Sequence, residues 1–294
     1  MPKINLKGMG VALVTPFKAD KSIDFEAFAN LLEYQVQGGV DYLVVLGTTS
    51  ENPTLEPEER AQVRQFVAER VAGRIPLVLG IGGNNTAAVV RELQTTDLSA
   101  YKAILSVVPY YNKPSQEGIY QHYAAVAQAS PLPVILYNVP GRTGVNMTAE
   151  TTLRLAADFE NIVGIKEASG NMVQVDEIIK HKTSDFMVIS GDDAVTFPLI
   201  TLGAVGVISV IGNAFPREFS RMVRLALSGD YAAARTIHHR FNDLFGLLFV
   251  DGNPAGVKCV LHIMGLCENE LRLPLVPTRI TTLEKIHTVL NSLQ

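Results

Sequence analysis

The run Ile162-Val163-Gly164-Ile165-Lys166-Glu167-Ala168-Ser169-Gly170 sets a single amine at the end of an apolar stretch. Mostly apolar residues lead into Lys166, and polar and glycine residues follow. That pattern predicts a short buried strand whose last residue emerges at a loop. An ammonium placed among Val and Ile loses hydration, which disfavours its charged form and draws its pKa down. The neutral amine that results attacks carbonyl carbons, so Lys166 suits Schiff-base chemistry. The other reading is structural: a lysine paired with a carboxylate, or one that carries its head to water.

Further chemistry-bearing residues also follow apolar runs. Thr48 and Thr49 lie in Gly47-Thr48-Thr49-Ser50-Glu51, and Tyr110 and Tyr111 lie in Pro109-Tyr110-Tyr111-Asn112-Lys113-Pro114. Tyr137 ends Val134-Ile135-Leu136-Tyr137, and Arg142 follows in Asn138-Val139-Pro140-Gly141-Arg142-Thr143-Gly144. Each has a local explanation: threonines that satisfy a turn, an exposed aromatic pair, a core tyrosine, a surface arginine. Jointly they do more. A Schiff-base lysine needs proton shuttles to dehydrate its carbinolamine and to move a proton at the adjacent carbon. Two tyrosines bridged by a threonine hydroxyl supply such a relay, and a guanidinium in a rigid turn can fork onto a carboxylate.

Positioning these groups requires an alternation of strands and helices, and the chain has one. β-rich runs are expected at Val11–Val14, Tyr42–Leu46, Leu77–Ile81, Ala103–Val108, Val134–Tyr137, Ile162–Lys166, Phe186–Ile189 and Val205–Val210. Amphipathic helical patterns of about three turns follow them. Asp24 is a good N-cap for the first, and Gly38-Gly39 a good stop. Eight strand–helix units predict a (β/α)8 barrel, an α/β fold that is one domain at this length. The barrel is expected to occupy residues 1–228. A small C-terminal helical extension, 229–294, is expected to pack on it through helices near Tyr231–Phe249, Ala255–Gly265 and Thr281–Leu293. A doubly wound open sheet would carry a glycine-rich nucleotide turn after its first strand, and Thr15-Pro16-Phe17 is not one.

Composition removes other classes. With 47% hydrophobic and 18% charged residues over 294 positions, the chain is of the globular type. A net charge of −4 and the lack of basic runs give no footprint for nucleic acid or an anionic membrane surface. Met1 to Lys7 lacks the apolar core of a secretion signal, so a cytoplasmic location is expected. The apolar stretch from Val195 to Gly212 is broken by Pro198, Gly203 and Gly206, which predicts helix, turn and strand rather than a span. Cys259 and Cys267 carry no CxxC spacing and read as core thiols. His122, His181, His238, His239, His262 and His287 fall in helical or loop patterns, so no metal site is expected.

The four segments around Thr48, Tyr111, Arg142 and Lys166 resemble the pyruvate-dependent class I aldolase and lyase family, and the likeness extends over nearly the whole chain. The resemblance implies that Lys166 forms an imine with pyruvate, that Tyr137 is the acid and base beside it, and that Thr48 bridges. It implies that Tyr111 reaches in from a neighbouring subunit of a homotetramer, a dimer of dimers. Thr49, with the backbone at Gly191 and Ile208, would hold the pyruvate carboxylate and imine. Arg142 would bind the carboxylate of L-aspartate semialdehyde, the second substrate of the branch that the motifs are most similar to. No metal and no organic cofactor are implied.

Sugar-acid-cleaving relatives, N-acetylneuraminate lyase among them, generally lack an arginine at the position of Arg142. A non-catalytic keto-acid sensor would be favoured by loss of a relay residue, and none is lost. Asp192 and Asp193, at a helix start, would repel a phosphorylated substrate. Two departures from the family pattern are Ser50, where glycine is usual, and Gly256 in Asn253-Pro254-Ala255-Gly256-Val257-Lys258, where a second proline is usual. Neither is expected to touch the chemistry directly. Lysine-sensitive members carry histidines and a glutamate where this chain has Pro57, Arg60 and Ala88, so weak or absent inhibition by lysine is expected.

Overall fold

Eight parallel strands close in sequence order, β1 to β8, with β1 also pairing β8. The computed structural model describes residues 4–293. Part of the stretch read above as lacking a signal, Met1 to Lys3, lies outside the described residues. In chain order the elements are β1 (Gly8–Ala12), α1 (Phe25–Gln37), β2 (Tyr42–Val45), α2 (Pro57–Val71), β3 (Leu77–Gly80), α3 (Thr86–Thr95) and β4 (Ala103–Val107). There follow α4 (Gln116–Ala129), β5 (Val134–Asn138), α5 (Pro140–Thr143), α6 (Ala149–Asp158), β6 (Ile162–Glu167) and α7 (Met172–His181). β7 (Met187–Ser190), α8 (Asp193–Leu202), β8 (Gly206–Ser209) and α9 (Pro216–Leu227) complete the barrel. Helices α10 (Tyr231–Leu247), α11 (Ala255–Ile263) and α12 (Ile280–Leu293) come last.

Local chemistry starts most helices where the sequence predicts. Asp24, Asn85, Ser115, Thr148, Asn171, Asp192 and Asp230 each cap a helix by accepting from a backbone N–H of its first turn. The α2 start is a capping box: Glu56 accepts from the backbone of Glu59, whose carboxylate accepts from the Glu56 N–H at 3.0 Å. The first strand is displaced from the expected Val11–Val14 to Gly8–Ala12. Its pairing with β8 begins at Gly8 opposite Gly206, where a Cβ on Gly206 would stand 1.8 Å from the Gly8 carbonyl oxygen. Only glycine permits that approach, and glycine carries no hydropathy signal from which to read a strand.

Strand side chains alternate between two apolar layers, as the two-residue period of a strand demands. Leu43, Val45, Leu136, Ile165, Val188 and Val207 face the surrounding helices. Tyr42, Val44, Ile135, Tyr137, Ile189 and Ile208 fill the barrel interior. Lys166 follows Ile165 and so takes the interior phase, whereas Glu167 takes the outer one. The extension is bound through rings: Phe215 and Phe241 have centroids 5.0 Å apart, Phe219 and Phe241 6.2 Å, and Phe219 and Phe245 5.9 Å, joining α9 to α10. Among the described residues no helix is long and apolar enough to cross a membrane.

Candidate active site

Lys166 and Tyr137 are register partners on β6 and β5, both on the interior phase, at the C-terminal mouth of the barrel where βα loops converge. The Lys166 ammonium nitrogen lies 4.3 Å from the centroid of the Tyr137 ring. Lys166 is 6% exposed, and among the described residues no carboxylate pairs with it. Lys258, also buried, is paired: its Nζ donates to Glu51 Oε1 at 2.5 Å with both side chains fully buried. The ion-pair reading of Lys166 therefore does not apply. Gly191, just past β7, lets the lysine pass: a Cβ there would meet Lys166 Cε at 3.1 Å and Ala168 Cβ at 2.6 Å.

The outer phase anchors what the inner phase presents. The Glu167 carboxylate accepts from Asn138 Nδ2 at 3.1 and 3.2 Å, from the Ser169 N–H at 2.8 Å and from Gln174 Nε2 at 3.2 Å. Burial raises its pKa, and these donors oppose the rise. Asn138 also donates to Asn146 Oδ1 at 2.8 Å and accepts from the Met147 N–H at 3.0 Å. The network thus ties the ends of β5 and β6 to the segment that follows Arg142. Arg142 itself sits in the single helical turn α5, closed by Gly144 at φ 75°. Its side chain is exposed toward the mouth.

Thr48 and Thr49 form a short 3-10 turn with Ser50, bracketed by positive φ at Leu46 and Glu51. Thr15 Oγ1 donates to the Ser50 carbonyl at 2.8 Å, and the Arg272 N–H donates to Glu51 Oε2 at 3.0 Å. Ser50 donates to the Gly47 carbonyl at 2.6 Å, so serine in place of glycine closes the turn on itself. Asp193 departs from expectation. Its buried carboxylate turns away from the mouth and accepts from the Val210 and Ile211 N–H groups at 3.0 and 2.8 Å, and burial pushes it up to about 6. Only Asp192 lines the cavity.

The structure brings Thr48, Thr49, Tyr137, Arg142, Lys166 and Gly191 onto one cavity of about 210 Å³. A second cavity of about 350 Å³ shares Thr48, Tyr137, Val139 and Arg142 with it and carries Arg60 and Tyr110. Ile208 is fully buried in the barrel interior and lines neither. Tyr111 is 86% exposed at φ 76° and also lines neither. The residue that sequence reasoning missed is Asn253. It lines the cavity with Lys166 and donates from Nδ2 to Thr49 Oγ1 at 3.0 Å. In the sequence its segment, Asn253 to Lys258, stands as a family motif, with no role assigned to Asn253. The signs in the sequence are that motif and the lysine, Lys258, that it sets inside a mostly apolar helix. Among the described residues no three His, Cys, Asp or Glu side chains stand close enough to share a metal ion.

The family model for the dihydrodipicolinate synthetase family matches residues 5–293. The 4-hydroxy-tetrahydrodipicolinate synthase of Parabacteroides distasonis is 69% identical, over 100% of this chain and 99% of its own. The crystal structure of dihydrodipicolinate synthase from Aquifex aeolicus superposes with a TM-score of 0.94 at 44% identity, covering 98% of both chains. A monomeric dihydrodipicolinate synthase variant superposes at 0.95 with 42% identity, over 98% of this chain and 96% of its own. The chain belongs to the dihydrodipicolinate synthetase family.

Proposed function

We infer that this protein is a lyase that condenses pyruvate with L-aspartate semialdehyde to 4-hydroxy-tetrahydrodipicolinate, in diaminopimelate and lysine biosynthesis. The observation that carries the mechanism is an unpaired lysine buried at a strand end against a tyrosine ring, in a cavity that also holds an arginine. Lys166 Nζ attacks the pyruvate carbonyl carbon, and loss of water leaves the imine. Loss of a proton from the adjacent methyl gives an enamine, whose carbon bonds to the aldehyde carbon of the second substrate. That substrate's amine then attacks the imine carbon, closes the ring and releases Lys166. Tyr137 is the acid and base at these steps, with Thr48 bridging it to Tyr111. Thr49 and the backbone at Gly191 hold the pyruvate carboxylate and imine, and Arg142 holds the carboxylate of the semialdehyde.

The imine is the electron sink, so the scheme calls for no separate cofactor. Tyr111 enters it only across a subunit contact, in a homotetramer built as a dimer of dimers. Its exposure supports that role. The expected location is the cytoplasm. Arg60 lines the larger cavity, and a cationic amino acid meets a like charge there. Lysine is therefore expected to inhibit weakly or not at all, and half-inhibition at micromolar lysine would contradict this. The function is tested by mass spectrometry of the product formed from pyruvate and L-aspartate semialdehyde. A condensation product that Lys166→Ala abolishes is expected; pyruvate consumption only with a sugar aldehyde would move the protein to the sugar-acid branch.

A further inference from the structure

We propose that Asn253, carried to the mouth by the C-terminal segment, is a positioning residue that aims the Thr49 hydroxyl at the keto-acid carboxylate. The inference rests on the reading of Thr49 as a carboxylate donor. A threonine hydroxyl has one proton to give and lone pairs to receive with. The Asn253 amide donates to Thr49 Oγ1 at 3.0 Å and occupies a lone pair. Thr49 is 2% exposed, and its side chain makes no other hydrogen bond among the described residues. Its proton is thereby left for an acceptor that enters the cavity. The reversed amide would claim that proton for itself and turn the hydroxyl away from substrate.

The fold holds Asn253 in place, and its amide oxygen is buried with no hydrogen-bond partner among the described residues. Asn253 is 5% exposed and stands in the turn between α10 and α11. That turn is tight: a Cβ on Gly256 would stand 2.5 Å from the Leu248 backbone, so this position accepts glycine. On the barrel side, three consecutive residues are held. Asn253 holds Thr49, Thr15 holds Ser50 at 2.8 Å, and Lys258 holds Glu51 at 2.5 Å. Two of the three restraints come from the C-terminal extension, which makes it part of the carboxylate subsite rather than a remote appendage.

The test is steady-state kinetics on Asn253→Ala, Thr49→Val and the double variant of the full chain. Each single change is expected to raise the pyruvate KM about tenfold, the weight of one hydrogen bond to a charged group. The aldehyde KM is expected to stay within twofold, and the double variant to be no worse than Thr49→Val. Multiplying effects, or an equal rise in both KM values, would overturn the inference. Asn253→Asp keeps the shape while its carboxylate takes the Thr49 proton and repels the substrate. It is expected to raise the pyruvate KM at least as much, and an unchanged KM in this folded variant would also overturn the inference. If Thr49→Val leaves the pyruvate KM unchanged, the reading of Thr49 fails as well; if it raises KM and Asn253→Ala does not, only the inference fails.

Discussion

The buried lysines Lys166 and Lys258 meet opposite fates, and the difference is a carboxylate. Lys258 has Glu51 at 2.5 Å and the Glu270 carbonyl at 2.8 Å, so its charge is neutralised and its donors are occupied. Lys166 has a tyrosine face instead, which leaves its amine free for a carbonyl. Arg142 is the complementary case, an exposed cation on a one-turn helix beside the same cavity. Arg142→Ala is expected to raise the KM for the semialdehyde about tenfold to a hundredfold and the pyruvate KM less than threefold. Equal losses for the two substrates would show that Arg142 does not discriminate between them. That Lys166, Tyr137, Thr48 and Arg142 meet on one cavity was legible because each follows an apolar run, and a barrel gathers strand ends. Asn253 was not, because its partner Thr49 is 204 residues earlier in the chain.

At the scale of elements, phase decides which side chains reach the site. Tyr137 and Lys166 point inward because Leu136 and Ile165 point outward, and a one-residue slip of β6 would present Glu167 in place of the lysine. Strand existence was readable from β-branched runs, whereas the bounds of β1 depended on the backbone contact of Gly8 with Gly206. The α3–α4 contact has a titrating group within it. His122 on α4 bonds Thr86 at 2.9 Å, and burial depresses its pKa to about 4 from an ordinary 6.5. A group depressed on folding lends stability that is fully present above its unfolded value and is lost as pH falls through the folded one. Stability should therefore decline from about pH 6.5 toward pH 4 more steeply in the wild type than in His122→Asn. Parallel melting-temperature profiles for the two proteins would rule out this contribution.

For the molecule as a whole, the C-terminal extension is joined to the barrel by a buried charge network as well as by rings. Glu51 takes Lys258 and the Arg272 backbone, and the Arg272 guanidinium pairs Glu59 and lies 4.5 Å from the centre of Phe17. Removing one member strands a charge. Lys258→Met leaves Glu51 buried and unpaired and is expected to cost about 3–5 kcal/mol in denaturant unfolding. The double change with Glu51→Gln should recover much of that loss, because no bare charge remains. Additive losses would place the cost in packing instead. The helices of the extension were readable from their period, since α10 to α12 start and end within two residues of the expected bounds. Their attachment was not, because a buried pair 207 residues apart has no local signal.

The central claim is the covalent step at Lys166, and borohydride reduction in the presence of pyruvate addresses it most directly. Intact mass followed by peptide mapping should find one reduced pyruvate adduct per chain, on Lys166, and none in Lys166→Ala. An adduct on another lysine, or none on a protein that still forms the condensation product, would contradict the account.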